Sequence, residues 1–181
     1  LGIYLIKYLR EREETKNLVI GLVVPMTSLR QTIGNVFAKI SGLNRSMVIG
    51  PADVVKKHYD LLIVDEAHRL KKRKNIANYG SFDKTNKSLG FGNEGTELDW
   101  ILASSKQQIF FYDKNQSVKP SDIHPERFIN LNAISYDLVS QLRVEGGEEY
   151  MKFVEDLFDL QEVSYKPSNY DFKLYDDIHK M

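Results

Sequence analysis

Cysteine is missing from this 181-residue chain. That excludes a disulfide framework, a thiolate metal site and a cysteine nucleophile, and it fits a cytosolic protein. A long hydrophobic run is missing too. The longest, Leu18 to Met26, is interrupted by Pro25 and is about half of the roughly 20 residues that a membrane span needs. No signal peptide precedes it. A soluble, cytoplasmic protein without membrane contact is expected. Internal repeats are absent. His58, His124 and His179 have no partner at metal-ligand spacing, and no Ser-His-Asp ordering supports another hydrolase chemistry. Net charge is zero, from 25 basic and 25 acidic residues.

What is present is unevenly distributed. Arg69 to Gly92 carries a net charge of +6, and Glu145 to Met181 carries −6. Only the basic part suggests a polyanionic partner. With 42% hydrophobic residues, the chain can bury roughly 70% of its unfolded surface without a staple. Leu18 to Val24, Leu61 to Val64 and Ile109 to Tyr112 are continuous apolar runs, the pattern of strands buried on both faces. Met47 to Ile49 is a shorter strand candidate, and Tyr136 to Leu142 and Phe172 to Tyr175 offer two more.

Helical patterns lie between these runs. They cover the first ten residues, the stretch from Thr27 or Ser28 as cap to about Ile40, and a segment from Pro51 to near His58. A further helix is capped by Thr96 with Asp99, and an amphipathic one runs from Glu148 to about Leu160. Lys71 to Gly95, polar, basic and glycine-bearing, is expected to be a long mobile surface loop. Strands alternating with helices predict an α/β domain with a mostly parallel sheet.

In such sheets ligands bind beyond the carboxyl ends of the strands. Polar residues collect at that edge: Thr27 after one strand, Asp65-Glu66 after another, Asp113 to Gln116 after a third. Val64-Asp65-Glu66-Ala67-His68 is the sharpest signal. Of two adjacent carboxylates at a strand tip, the first can hold Mg²⁺ through its water shell, and the second can polarise an attacking water. Solvated or capping acids are the plain alternative.

The Asp-Glu-Ala-His run resembles the Walker B segment of helicase-type ATPases. Phe110-Phe111-Tyr112-Asp113-Lys114-Asn115-Gln116 resembles the superfamily-one pattern, in which a glutamine after a strand-end aspartate contacts the γ-phosphate. Ser140-Gln141-Leu142-Arg143 resembles the motif that presents an arginine to the same phosphate. With Leu98-Asp99-Trp100-Ile101-Leu102 and Gln-Leu-Arg-Val-Glu-Gly-Gly-Glu-Glu-Tyr, the order is similar to an uncharacterised bacterial family of superfamily-one helicase-like ATPases. That family is related to the ATPase part of schlafen proteins.

The resemblance implies a three-layer, RecA-like P-loop NTPase domain over residues 1–163, with 71–95 as its basic loop. Residues 164–181 would be a linker and the start of a second such domain. It implies ATP and Mg²⁺ as cofactors of the complete parent protein. Asp65 would hold the metal, Glu66 the water, and Gln116 and Arg143 the γ-phosphate. Asp113 and His68 would support the nucleotide side, His68 linking the hydrolysis site to the Gln116 segment. Thr27, Ser28 and Arg30 would touch the phosphates of single-stranded DNA or RNA.

Lys72 and Arg73 could add backbone attraction, and Tyr79, Phe82 and Phe91 could stack on bases. A solvated charge run is the competing reading of that loop. The family's Gly-x-x-x-x-Gly-Lys-Thr loop and the strand leading into it do not occur in the sequence. Gly90 to Gly95 spells Gly-x-Gly-x-x-Gly without a preceding strand and reads as loop glycines. The chain is therefore expected to be an excerpt of a longer helicase or translocase-like protein, inactive by itself. The remaining strands are expected to close up, or a neighbouring copy to cover the missing-strand gap by self-association. The rival expectation is a degenerate, non-catalytic ATPase domain serving as an interaction module.

Overall fold

The computed structural model describes residues 1–117, 119–138, 147–161, 173 and 175–180. They form two compact units, Leu1–Ala133 and Ile134–Met181.

The first unit is built on four parallel strands, β1 (Ile20–Val23), β2 (Val48–Ile49), β3 (Tyr59–Val64) and β4 (Ser105–Phe110). Their spatial order is β2-β1-β3-β4. Leu22 pairs with Val48, Ile20 with Leu61, and Val64 with Phe110. All of β1 and the last four residues of β3 are buried, because helices cover both faces. On one side α1 (Gly2–Glu11) and α2 (Thr27–Phe37) pack Ile6, Ile33 and Phe37 onto Ile20, Leu22, Leu61 and Ile63. On the other, α3 (Tyr79–Ser88) and α4 (Glu97–Ala103) pack Phe82, Leu98, Trp100 and Ile101 onto Val23, Leu62 and Val64. The period-two alternation of β3 thus feeds two separate cores. Gly21 is required by closeness. A Cβ there would stand 2.9 Å from both Leu62 and Tyr59.

The sheet has no interior gap. β1, β3 and β4 are direct neighbours, and among the described residues β4 pairs with β3 alone. The remaining strands stand closed up, and among the described residues the open position is the outer edge of β4.

Four expectations need correction. The segment 71–95 is no long loop, since it contains α3. Asn78 caps that helix by accepting from the Ser81 N–H at 2.9 Å. Phe82 and Asn86 are buried, and Gly90, at φ +75°, ends the helix in the left-handed conformation that favours glycine. Thr27 and Ser28 do not cap α2. Met26 holds the cap position without a side-chain bond, because the Thr27 hydroxyl accepts from Arg30 at 2.9 Å. The segment from Pro51 is a 3₁₀ turn ending at Lys56. Finally, β4 begins at Ser105, four residues before the apolar run. Its polar first half is tolerated at an edge, where Lys106 reaches Asp60 at 2.7 Å.

The Thr96–Asp99 box forms as expected, with the Asp99 carboxylate accepting from the Thr96 N–H at 2.8 Å. A short helix, α5 (Pro125–Ile129), follows, and its Arg127 pairs with Asp99 at 2.6 Å.

In the second unit α6 (Gly147–Phe158) is present near its expected bounds, with Lys152 and Asp156 paired at 2.6 Å. Residues 136–138 are not in a strand, and the rest of that expected strand lies outside the described residues. So do Phe172 and Leu174. Among the described residues no helix is long and apolar enough to cross a membrane.

Candidate nucleotide site at the carboxyl edge

The parallel sheet aims the ends of β1, β3 and β4 at one edge, and there the backbone locks their tips together. The Asp65 N–H donates to Val23 O at 2.9 Å, Phe111 N–H to Val64 O at 2.9 Å, and Ala67 N–H to Phe111 O at 2.8 Å. Asp65 and Glu66 are both half-buried. Glu66 has φ 52° and ψ 46°, left-handed values that a non-glycine residue adopts only at a cost. A strained carboxylate at a strand tip is a feature of functional sites. The first turn of α1 also reaches this edge. A methyl added to Gly2 would touch Leu22, Ile63 and Phe111 at 3.2–3.8 Å.

Behind the acids lies His68, only 2% exposed. Its Nε2 is 3.1 Å from Glu66 Oε2, yet neither ring nitrogen has a hydrogen bond of proper direction among the described residues. The His68 ring meets Tyr112 edge-on at 6.5 Å, and Tyr112 rests on Phe128 at 4.4 Å. Burial, and then the neighbouring Asp113, push the Tyr112 phenol upward. Asp113 itself accepts from the Gln116 side-chain amide at 2.7 Å and from the Asn115 N–H at 2.9 Å. Those two bonds, with a smaller contribution from His68, hold its carboxyl below the usual range.

Glu66 thus lies beside the buried imidazole, whose ring meets Tyr112, the residue before the bonded Asp113–Gln116 pair, while Asp65 shares the strand tip. Arg143 lies outside the described residues. No group of three or more metal-ligating side chains occurs among the described residues. The donor set still suits a Mg²⁺ that a nucleotide brings with it, because such an ion keeps most of its waters and takes one or two protein carboxylates.

Thr27, Ser28 and Arg30 follow the neighbouring strand β1. Thr27 and Ser28 are exposed. The basic run is different. Arg73 is held in a two-pronged pair with Asp83, at 2.6 and 2.9 Å, and its guanidinium lies over the Tyr79 ring at 5.0 Å. Lys72 is half-buried, and its N–H donates to Ser121 O at 2.8 Å. Phe82 is not available to stack on a base. It is 6% exposed and lies 4.5 Å from Trp100.

Glu97 went unnoticed in the sequence, where it is only an acidic residue in a helix's first turn. Its carboxylate accepts from the Lys71 N–H at 2.8 Å, while its own N–H donates to Lys71 O at 3.0 Å. The opposite side of the same strap is tied by Ile123 N–H to Leu70 O at 3.0 Å. The residue keeps some exposed surface, but its carboxyl group is enclosed, and burial raises its pKa to about 7.

A carboxyl raised above its unfolded value contributes stability below about pH 4.5, and loses it as pH rises through about 7. Glu97→Gln keeps an acceptor for Lys71 and does not ionise. Relative to the wild type it is expected to gain on the order of 1–3 kcal/mol between pH 5 and 8. Thermal unfolding of both proteins across that range checks the difference.

The domain thus carries paired acids at one tip of a four-stranded parallel sheet and, after the next strand, an aspartate bonded to a glutamine. The sequence matches the profile described as Schlafen group 3, DNA/RNA helicase domain, over residues 1–181. The chain belongs to that family. No curated protein and no solved structure matches it.

Proposed function

We propose that this domain is the Walker B and γ-phosphate-sensing part of a superfamily-one type, ATP-dependent helicase or translocase acting on single-stranded DNA or RNA. The observation that carries the reading is the gathering at one sheet edge of Glu66, with the buried His68 Nε2 3.1 Å from its carboxylate, and of Asp113, which accepts from the Gln116 amide at 2.7 Å. In it, Asp65 takes the Mg²⁺ that accompanies the nucleotide. Glu66 polarises the water and receives its proton. Gln116, now resting on Asp113, turns to the γ-phosphate when it is present. A bound nucleotide then shifts Gln116 and Asp113, and the shift passes to Thr27, Ser28 and Arg30 through the strands locked side by side at this edge.

The phosphate-cradling Gly-x-x-x-x-Gly-Lys-Thr loop is not among these 181 residues. In the proposed enzyme the cradle comes from sequence outside them. Arg143 makes the second γ-phosphate contact.

The test is the coupling between two ligands. Affinity for a fluorescent oligothymidylate is measured on the full translated protein, with and without a non-hydrolysable Mg-ATP analogue. A change of about 5–150-fold is the size that coupled sites generate. Identical affinities in both conditions would reject coupling and leave an interaction module.

A further inference from the structure

Between α2 and the residues that lead into β2 lies an open cleft of about 430 Å³. It is lined by Arg30, Gln31, Asn44, Arg45, Ser46 and Val48, with Gly34 beneath. Two glycines make room for its two arginines. A Cβ on Gly34, in the middle of α2, would stand 3.2 Å from Cγ of Arg45. A Cβ on Gly50 would overlap the Arg30 guanidinium. Glycine inside a helix costs about 1 kcal/mol relative to alanine, and at position 34 the crossing Arg45 stem accounts for it.

The cleft is positively charged and short of partners. Arg30 donates to the Thr27 hydroxyl at 2.9 Å, and Asp53 stands 3.9 Å away. That carboxylate is already bound by Lys56 at 2.6 Å and by the Gly50 N–H at 3.0 Å. Arg45 has no ion pair among the described residues. Asn44 spends its carbonyl on the Ser46 N–H at 2.9 Å. Neither a carboxylate nor an aromatic ring lines the cleft.

We infer that this cleft binds the phosphodiester backbone of a single nucleic-acid strand, with Arg45 and Arg30 each engaging a phosphate. Guanidinium forks match phosphate oxygens two at a time. The lack of any ring to stack a base makes the contact indifferent to sequence. The exposed Thr27 and Ser28, next to Arg30, continue the track toward the carboxyl edge. The inference rests on the nucleic-acid part of the proposed function and extends its path along the flank of α2.

The experiment titrates fluorescein-labelled oligothymidylate into the protein at several salt concentrations. Arg45→Ala is expected to weaken binding about three- to tenfold and to lower the log–log salt slope by about 0.7, one single-strand phosphate contact. Gly50→Ala, which displaces Arg30, is expected to do the same. Lys16→Ala, which removes a charge elsewhere, should change neither. Arg45 is exposed, so its removal leaves the fold intact, and circular dichroism checks this.

If Arg45→Ala binds like the wild type, with the same salt slope, the cleft is not a phosphate track, and the inference fails while the proposed function, which does not use Arg45, stands. If polyglutamate displaces the strand equally well, the cleft is made for an acidic protein, and the inference also fails. If the wild type binds no oligonucleotide at low salt, both the inference and the nucleic-acid reading fall.

Discussion

Glu66→Gln is expected to lower nucleotide hydrolysis by the full translated protein about 10²–10⁴-fold, the range for losing a positioned general base. The substitution keeps the size and shape of the side chain but removes its ability to take a proton. Nucleotide binding should persist, because Asp65, the proposed Mg²⁺ ligand, is untouched, so kcat falls while KM stays near its wild-type value. A companion variant separates chemistry from strain. Glu66 sits at φ 52°, where glycine is free of the Cβ penalty. Glu66→Gly is expected to be about 1 kcal/mol more stable than the wild type and equally inactive. Steady-state phosphate release and urea denaturation of the three proteins measure both effects. Full activity in Glu66→Gln would remove this residue from the chemistry.

The largest effect on folding is expected at Trp100. This side chain is 1% exposed, tilts against Phe82 at 4.5 Å, and donates its indole N–H to Asn86 at 2.6 Å. Asn86 in turn donates to Gly95 O at 3.1 Å, so α3, α4 and the turn between them are fastened at one point. Trp100→Ala opens a cavity and is expected to cost about 3–5 kcal/mol, a large part of a typical domain's stability. Asn86→Ala keeps the ring but strands a buried indole N–H, at a cost of about 1–3 kcal/mol. In urea, both midpoints should fall with little change in slope. An unshifted Trp100→Ala midpoint would mean that this half of the core does not support the sheet.

The sheet itself was legible in the sequence because its buried strands are apolar without interruption. β1 and β3 sit where Leu18 to Val24 and Leu61 to Val64 placed them. The carboxyl-edge acids were legible for the same reason, since a strand's end fixes which residues reach the edge. What the sequence hid was structure that polar residues build. α3 is mostly polar, with two Lys and two Ser, and carries one large core residue, Phe82, so neither apolar period nor composition marks it. Its stability comes from Asn86 and Trp100, which meet only in the fold. The first half of β4 is polar because the edge permits it.

Arg73 illustrates the converse. A basic run reads as free charge, yet Asp83, ten residues away, claims this guanidinium. Glu97 and Arg45 carry no sequence signal at all. Their roles depend on Lys71 and Gly34, which the fold brings beside them.

The most direct test of the central claim is phosphate release from Mg-ATP by the full translated protein, titrated with a single-stranded oligonucleotide. The account predicts turnover that rises with the strand to saturation and disappears when Mg²⁺ is chelated. Turnover indifferent to the strand, or none under any condition, would contradict it.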